Sequence, residues 1–393
     1  MNKDFLGLCA AVLVCSGIAA QIGQNDSTRL QQLSEVVVSD SRFELKRENS
    51  GKTVIRIDSD DMMRNQGRSV AEIINSESGI EIAGSRGGDG TVYGNFVRGG
   101  RGRQMLVLID GVRVADPSSF SSGYDLRLLS TANVASIEII KGASSTLYGT
   151  NAATAVINIT TKAASTKKIA GNFQSSVATD QTSEDQNYNV SRFANSAQVS
   201  GTLQRFSYYV GFSNQYSDGL SALVTPDRER DDFSRFGTHV RLGYHFNDNF
   251  KLRITGNQTK LRTEYDETSG VMDADYETAS KQDRLGLNGE YSYKNGSLQF
   301  NTAYSGYNGE TYSNFPNSFQ GKNVVADVYN KYSFKNKWYT VLGLNYIRDQ
   351  AELTMDEKFT IVDPYINVVY VSDFGLNLNT GVRLNNHSEY GST

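Results

Sequence analysis

From about Lys162 onward the chain repeats one feature that leaves few folds open: long segments in which apolar and polar residues alternate with a period of two. Successive side chains of a strand point to opposite faces, so such a segment is a strand with one apolar and one polar face. His239 to Phe246 alternates and turns at Asn247-Asp248-Asn249, and Phe250 to Thr255 resumes the pattern. Tyr291-Ser292-Tyr293 turns through Lys294-Asn295-Gly296 into Leu298 to Asn301. Tyr332 to Phe334 turns at Lys335-Asn336-Lys337 into Trp338 to Tyr346, and Leu376 to Asn379 repeats the theme. The spacing predicts about eleven strands of roughly 10 to 16 residues, whereas strands of soluble sandwiches run about 5 or 6. Short polar turns alternate with longer acidic connections, Asp218 to Asp232 and Glu264 to Glu277. That asymmetry predicts a transmembrane barrel.

Composition agrees. The 36 Gly, 22 Tyr and 18 Phe against 4 Pro and one Trp suit twisted antiparallel strands. A mean hydropathy of −0.44 is too polar for membrane helices but not for a barrel whose strands face lipid on one side only. The net charge of −4 predicts no nucleic-acid partner.

Residues 1–20 carry Lys3, an apolar run from Phe5 to Val14 and small residues at Gly17, Ala19 and Ala20, as in a secretory signal too short to span a bilayer. Both cysteines, Cys9 and Cys15, fall inside it, so the exported chain is expected to hold no disulfide and no thiolate site. Residues 21–46 are polar apart from Glu35-Val36-Val37-Val38-Ser39, a short β-branched run. It suits either the first strand of a domain or strand addition to a partner's sheet edge.

Residues 47–162 read as a compact α/β unit. Val54 to Ile57 is a strand, Ser59-Asp60-Asp61 opens a helix with acidic residues at its N-terminus, and Val70 to Ile74 continues helical spacing until Gly79. Met105 to Val114 is a hairpin whose Asp110-Gly111 pair supplies the positive φ angles of a tight primed turn. Ile137 to Gly142 and Val156 to Thr160 add two strands.

Four motifs in this unit, in order and spacing, resemble the TonB-dependent receptors, and their cobalamin-transporter branch in particular. They are Phe96-Val97-Arg98-Gly99; Leu106 to Val112 with Asp110 and Gly111; Ile137-Glu138-Ile139-Ile140-Lys141-Gly142; and Leu147-Tyr148-Gly149, followed by Val156-Ile157-Asn158-Ile159. The resemblance implies an α/β plug domain inside an antiparallel barrel of about 22 strands in the outer membrane of a Gram-negative bacterium. Glu35, Val36, Val37, Val38 and Ser39 then become the TonB box. Its partner would be the TonB C-terminal domain with its inner-membrane energising complex. The cargo would be a small-molecule nutrient, cobalamin or, as the alternative, a ferric siderophore met by Arg86, Arg98, Arg101 and Arg103 near the plug apex. Outer-membrane lipids and lipopolysaccharide would surround the wall. So many strands need on the order of 400 residues beyond the plug, so residues 163–393 are expected to form a partial barrel of a truncated chain.

Cobalamin receptors bind calcium with aspartates in corresponding loops. The resemblance therefore nominates Asp218, Glu229, Asp231, Asp232, Asp266, Asp273 and Asp275, since calcium takes six to eight oxygen ligands. The competing account is a set of solvated acidic loops. Enzyme chemistry finds no support. Ser85 to Gly90 lacks the dinucleotide fingerprint. His239, His245 and His387 are scattered, with the first two on one face of a strand, and no nucleophile–base pair stands out. A passive porin would lack the four plug motifs.

Overall fold

Turn chemistry and strand alternation together dictate most of what is seen in the computed structural model. It describes residues 37–38, 41–65, 68–84, 90, 94–119, 122–179, 181, 183–184, 186, 188–219, 230–267, 272–352 and 356–393. The signal segment, Glu35, Val36, Ser39, most of the 85–90 loop with Arg86, and Glu229 lie outside these residues.

Two short strands come first, β1 (Val37–Val38) and β2 (Leu45–Lys46), paired antiparallel with Val38 opposite Leu45. A five-stranded sheet follows, in the order β3-β8-β9-β6-β7: β3 (Thr53–Ile57), β6 (Met105–Ile109), β7 (Val112–Val114), β8 (Val134–Lys141) and β9 (Ala155–Thr161). β4 (Ile80–Ala83) and β5 (Gly94–Val97) form a separate pair. The β6–β7 turn has Asp110 at φ 51 and Gly111 at φ 79, the primed geometry expected from Asp-Gly. Helix α1 (Ser59–Arg64) starts on a capping box of Asp58 and Asp61, and α2 (Val70–Asn75) on one of Ser69 and Glu72. α2 stops at Asn75, four residues before Gly79, because the Asn75 side chain turns to accept the Ile82 N–H at 2.8 Å. α3 (Ser145–Tyr148) is one turn. Val70, Ile73 and Ile74 of α2 pack with Ile82, Val107, Ile137, Ile139 and Ile157 into one apolar core. Fully burying such a side chain contributes about 1.5–3 kcal/mol.

Beyond Lys162 one antiparallel sheet runs strand to neighbouring strand. Its members are β10 (Ala170–Ala178), β11 (Arg192–Leu203), β12 (Phe206–Ser217), β13 (Phe233–His245), β14 (Phe250–Glu267) and β15 (Met272–Tyr293). They continue with β16 (Gly296–Tyr312), β17 (Asn317–Phe334), β18 (Trp338–Glu352), β19 (Asp356–Val371) and β20 (Asn377–Arg383). Two bridging pieces, β21 (Asn386–His387) and β22 (Gly391–Ser392), complete it. At one rim β13–β14, β15–β16 and β17–β18 are joined by short turns; at the other the acidic connection between β12 and β13 is long, but β16–β17 and β18–β19 are joined by only four and three residues. Among the described residues β10 pairs with β11 alone, so the wall is an open arc around the α/β unit. Two expectations need correction. The strands reach 22 residues in β15, well beyond 16. The stretch from Glu264 to Glu277 is not a long connection: β14 and β15 stay paired through Glu264↔Glu277 and Tyr265↔Tyr276. Arg262 lies at 2.9 and 2.8 Å from the Glu264 and Glu277 carboxylates, and the two tyrosine rings meet at 5.7 Å. Polar residues above the bilayer still favour a ladder when cross-strand charges and rings match.

The two faces of the wall differ as a barrel requires. On β18 the outward residues Trp338, Leu342 and Leu344 are exposed, while Val341, Asn345, Ile347 and Asp349 face inward and are buried. Among the described residues no helix is long and apolar enough to cross a membrane.

Candidate functional site

The region where the α/β unit meets the wall gathers most of the buried charge. Its first part lies next to the N-terminal strand. The chain leaves β1, passes Ser41 and Arg42, and returns as β2. Arg42 has a positive φ of 64, which aims its side chain between α3 and the wall. Its guanidinium lies 2.7 Å from Asp327 of β17, donates to the Leu147 carbonyl at 3.0 Å, and sits 4.2 Å from the Tyr329 ring centre. Tyr365 of β19 donates its hydroxyl to the other Asp327 oxygen at 2.9 Å. Burial alone would lower the Arg42 pKa, but the Asp327 carboxylate and the Tyr365, Tyr329 and Tyr148 phenols outweigh it, and the group stands well above its ordinary value. Phe43 packs edge-on against Tyr339 at 5.1 Å and beneath the Lys331 ammonium. One arginine thus ties the segment after β1 to α3 and to two wall strands.

The second part is the hairpin turn of β6–β7. Asp110 accepts the Thr161 N–H at 3.0 Å and the Thr161 hydroxyl at 2.7 Å, and pairs with Arg241 of β13 at 2.8 Å. Burial would raise its pKa; Arg241, Arg253 and the two Thr161 bonds hold it below the ordinary carboxylate range. Arg241 also donates to the Lys162 carbonyl at 3.0 Å, where the α/β unit ends. Gly111, beside it, has open space where a Cβ would stand, so its positive φ alone explains glycine.

The third part lies around α3. Gly149 follows Tyr148 with φ 84 and ψ −159, and a Cβ there would come within 2.6 Å of the Arg383 guanidinium. Arg383 of β20 in turn holds Asp363 of β19 at 2.7 Å and Asn345 at 3.1 Å. Further contacts lock the other strands: Arg235 donates to the Leu129 carbonyl at 2.6 Å, and Tyr124 donates to Gln282 at 3.1 Å.

The remaining motif residues hold the unit together. Lys141 donates to the Ser78 carbonyl, Glu138 is buried 3.8 Å from Arg56, and Gly142 adopts φ 103 at the strand end. Asn158 lies between Glu138 and Leu108 in the sheet ladder. Arg98 and Gly99 form the positive-φ turn closing the Val97–Gly100 bridge, and Arg98, Arg101 and Arg103 are exposed. Of the TonB-box residues, Val37 and Val38 are in β1; the other three lie outside the described residues.

Among the described residues the acidic loop carboxylates do not converge. Asp218 pairs with Arg230 at 3.1 Å, the Asp232 N–H donates to Glu264 at 3.0 Å, and buried Asp266 accepts weakly from Ala274 N–H at 3.4 Å. Asp231 is half-buried and Asp275 is exposed. Glu229 and the side chain of Asp273 lie outside the described set, and among the described residues no three such groups meet as a metal site would need. Sequence reasoning singled out Asp110, Glu138, Lys141 and Tyr148, but it missed Arg42, Asp327, Arg241 and Arg383. Their partners are remote along the chain, and only the inward parity of the wall residues hinted at them.

Comparison with known proteins agrees with this architecture. Residues 46–156 match the TonB-dependent Receptor Plug Domain family. Among curated proteins, the "Vitamin B12 transporter BtuB" of Photobacterium profundum is 24% identical over 408 residues, covering 100% of this chain and 62% of its own length. The protein of the same name from Vibrio cholerae is 25% identical, covering 100% of this chain and 63% of its own. The chain therefore spans about three fifths of the length of these relatives. Among solved structures, a ferric enterobactin receptor mutant from Pseudomonas aeruginosa superposes with a TM-score of 0.73 at 15% identity, covering 92% of this chain and 60% of that one. The siderophore receptor PirA from Acinetobacter baumannii gives 0.72 at 15%, covering 86% and 57%. The motifs, the inward-facing polar wall and the α/β unit clamped within it agree with that match: residues 46–156 are a TonB-dependent receptor plug domain, and along its length the chain is similar to these outer-membrane receptors.

Proposed function

We propose that this chain provides the plug and part of the wall of a receptor that takes up cobalamin across the outer membrane, driven by TonB acting on the Glu35 to Ser39 segment. The observation that carries this reading is the tether at Arg42. A pull on β1 reaches, within four residues, an arginine bound at once to the plug through Leu147 and to the wall through Asp327. Force applied from the periplasm would therefore load the plug–wall seam. Cobalamin is the cargo named for the relatives that align with the whole chain, whereas the superposed siderophore receptors share the fold alone.

The test is uptake of labelled cyanocobalamin by cells carrying the receptor, with and without an active TonB, and in calcium or in a chelator. TonB-dependent accumulation supports the reading. Uptake of a ferric siderophore with indifference to cobalamin would keep the transport mechanism and overturn the cargo. Loss of binding in chelator would point to calcium in the acidic loops; unchanged binding would remove it.

A further inference from the structure

Beneath the plug, on the side of the short turns, the inner wall encloses a cavity of about 590 Å³. Its charged lining consists of the cations Arg205, Arg241, Lys251 and Arg253 and the carboxylates Asp248 and Glu290. Its charges do not balance. Arg241, Arg253 and Arg284 lie on neighbouring strands, joined through the ladder pairs Arg241↔Thr255 and Arg253↔Asn288. Among the described residues the one carboxylate within ion-pair distance of any of the three is Asp110, which Arg241 occupies at 2.8 Å. Glu290, the nearest alternative, is held by Lys251 at 3.0 Å. Arg284 is 7% exposed and meets the Ser305 hydroxyl at 3.1 Å. Among the described residues Arg253 has neither a hydrogen bond nor an ion pair, and its Nε is shut off from solvent, as is the Nε of Arg241. Guanidinium groups stay charged in proteins, and a poorly solvated charge without a partner is costly, so the half-buried Arg253 at the cavity wall favours an anion beside it. A guanidinium fork matches an oxyanion with two parallel N–H donors better than it matches chloride.

We propose that this cavity is a binding site for an oxyanion, with Arg253 as the principal contact and the Arg241 charge in support. The group it takes is a phosphate, either free inorganic phosphate or a phosphodiester carried by a solute passing the plug. The site depends on the plug being seated, because Asp110 is what restrains Arg241. It does not depend on the cargo assigned above.

Titration calorimetry with inorganic phosphate against a chloride background, on the receptor purified from outer membranes in detergent, tests it. Binding should weaken about tenfold or more in Arg253→Gln, since a charge-assisted pair is lost. It should return only in part in Arg253→Lys, which restores the charge without the fork, and be unchanged in Arg348→Gln on the outer face. Arg253→Gln removes a charge without a partner, so folding should survive, and an unchanged melting temperature in chloride checks this. No phosphate binding by the unaltered receptor, or equal binding by Arg253→Gln, would overturn the site. Competition by cyanocobalamin at the same site would identify a solute's phosphodiester as the ligand, and its absence the free anion; both retain the oxyanion site. Cobalamin that fails to bind anywhere would remove the cargo reading and leave the phosphate titration standing.

Discussion

Arg42 and Asp327 show how much can rest on two side chains. Both are almost fully buried, and the carboxylate has a second donor in Tyr365. Removing one partner of such a pair typically costs about 3–5 kcal/mol, because the other charge stays buried alone. Here the cost is expected to appear as release of the N-terminal segment rather than global unfolding, since the segment holds few other contacts. Asp327→Ala should make a spin label at Val37 mobile and expose the segment to protease. The double change Arg42→Ala and Asp327→Ala should restore part of the order lost. A label equally immobile in all three proteins would show that the pair holds nothing. Gly149 is a second decisive residue. Its φ 84 and ψ −159 fall in a region essentially reserved for glycine, where other residues cost about 1–3 kcal/mol. Gly149→Ala adds a methyl 2.6 Å from Arg383, so thermal unfolding should shift down by at least that equivalent. An unchanged melting curve would mean that the Arg383–Asp363 pair moves aside freely.

Strands record their surroundings in their alternation. On β18 and β17 the outward residues change from Trp338, Leu342 and Leu344 to Arg348, and from Val328 and Val324 to Lys322. The apolar stretch marks the hydrocarbon band, and the cations mark the interface above it. Placing Lys at Leu342 should cost about 2–4 kcal/mol, whereas Arg348→Leu should change stability by less than about 1 kcal/mol. Unfolding in lipid vesicles measures both, and equal costs would misplace the band. The same alternation explains the one connection that was misjudged. Between Glu264 and Glu277 the outward and inward residues are both polar, so the period-two signal fades although the ladder continues. Hydrophobic periodicity reports the medium around a strand and falls silent where the strand rises into water.

At the scale of the molecule, the plug is held by polar clasps together with apolar patches, such as Val112 against Ala303, Val325, Ile347 and Ile361 and Leu147 against Val341 and Tyr365. Asp110–Arg241, Arg42–Asp327, Arg235 on the Leu129 carbonyl and Tyr124 on Gln282 each join a plug loop to a different part of the wall. The Asp110 clasp carries a pH dependence whose sign follows from its depressed pKa. A carboxylate depressed in the folded state contributes stability above its unfolded value, near pH 3.9, and loses it as pH falls through the folded value. Acid unfolding should therefore show the unaltered receptor more stable than Asp110→Asn at neutral pH. The two should converge below about pH 4. Curves that stay parallel across that range would show that the charge of Asp110 does not contribute.

Local features were legible without the structure. The Asp110-Gly111 turn, the cap residues before α1, the short turns at Lys294-Asn295 and Lys335-Asn336 and the facing of each wall strand all follow from residues a few positions apart. His239 and His245, six residues apart and so of the same parity on β13, share the inner face, with His239 buried. What the linear chain could not disclose was which inward charge meets which. Arg42 and Asp327, or Asp110 and Arg241, are brought together only when the sheet curves around the plug. The choice among many inward polar residues is made by wall curvature and plug seating, not by any local preference. The amino-acid sequence alone determined the class of fold, its elements and the side of each strand that faces lipid, because those depend on near-neighbour periodicity. Tertiary structure alone decided the clasps and the unbalanced arginines beneath the plug, because ion pairing depends on distances that only the closed-in wall sets.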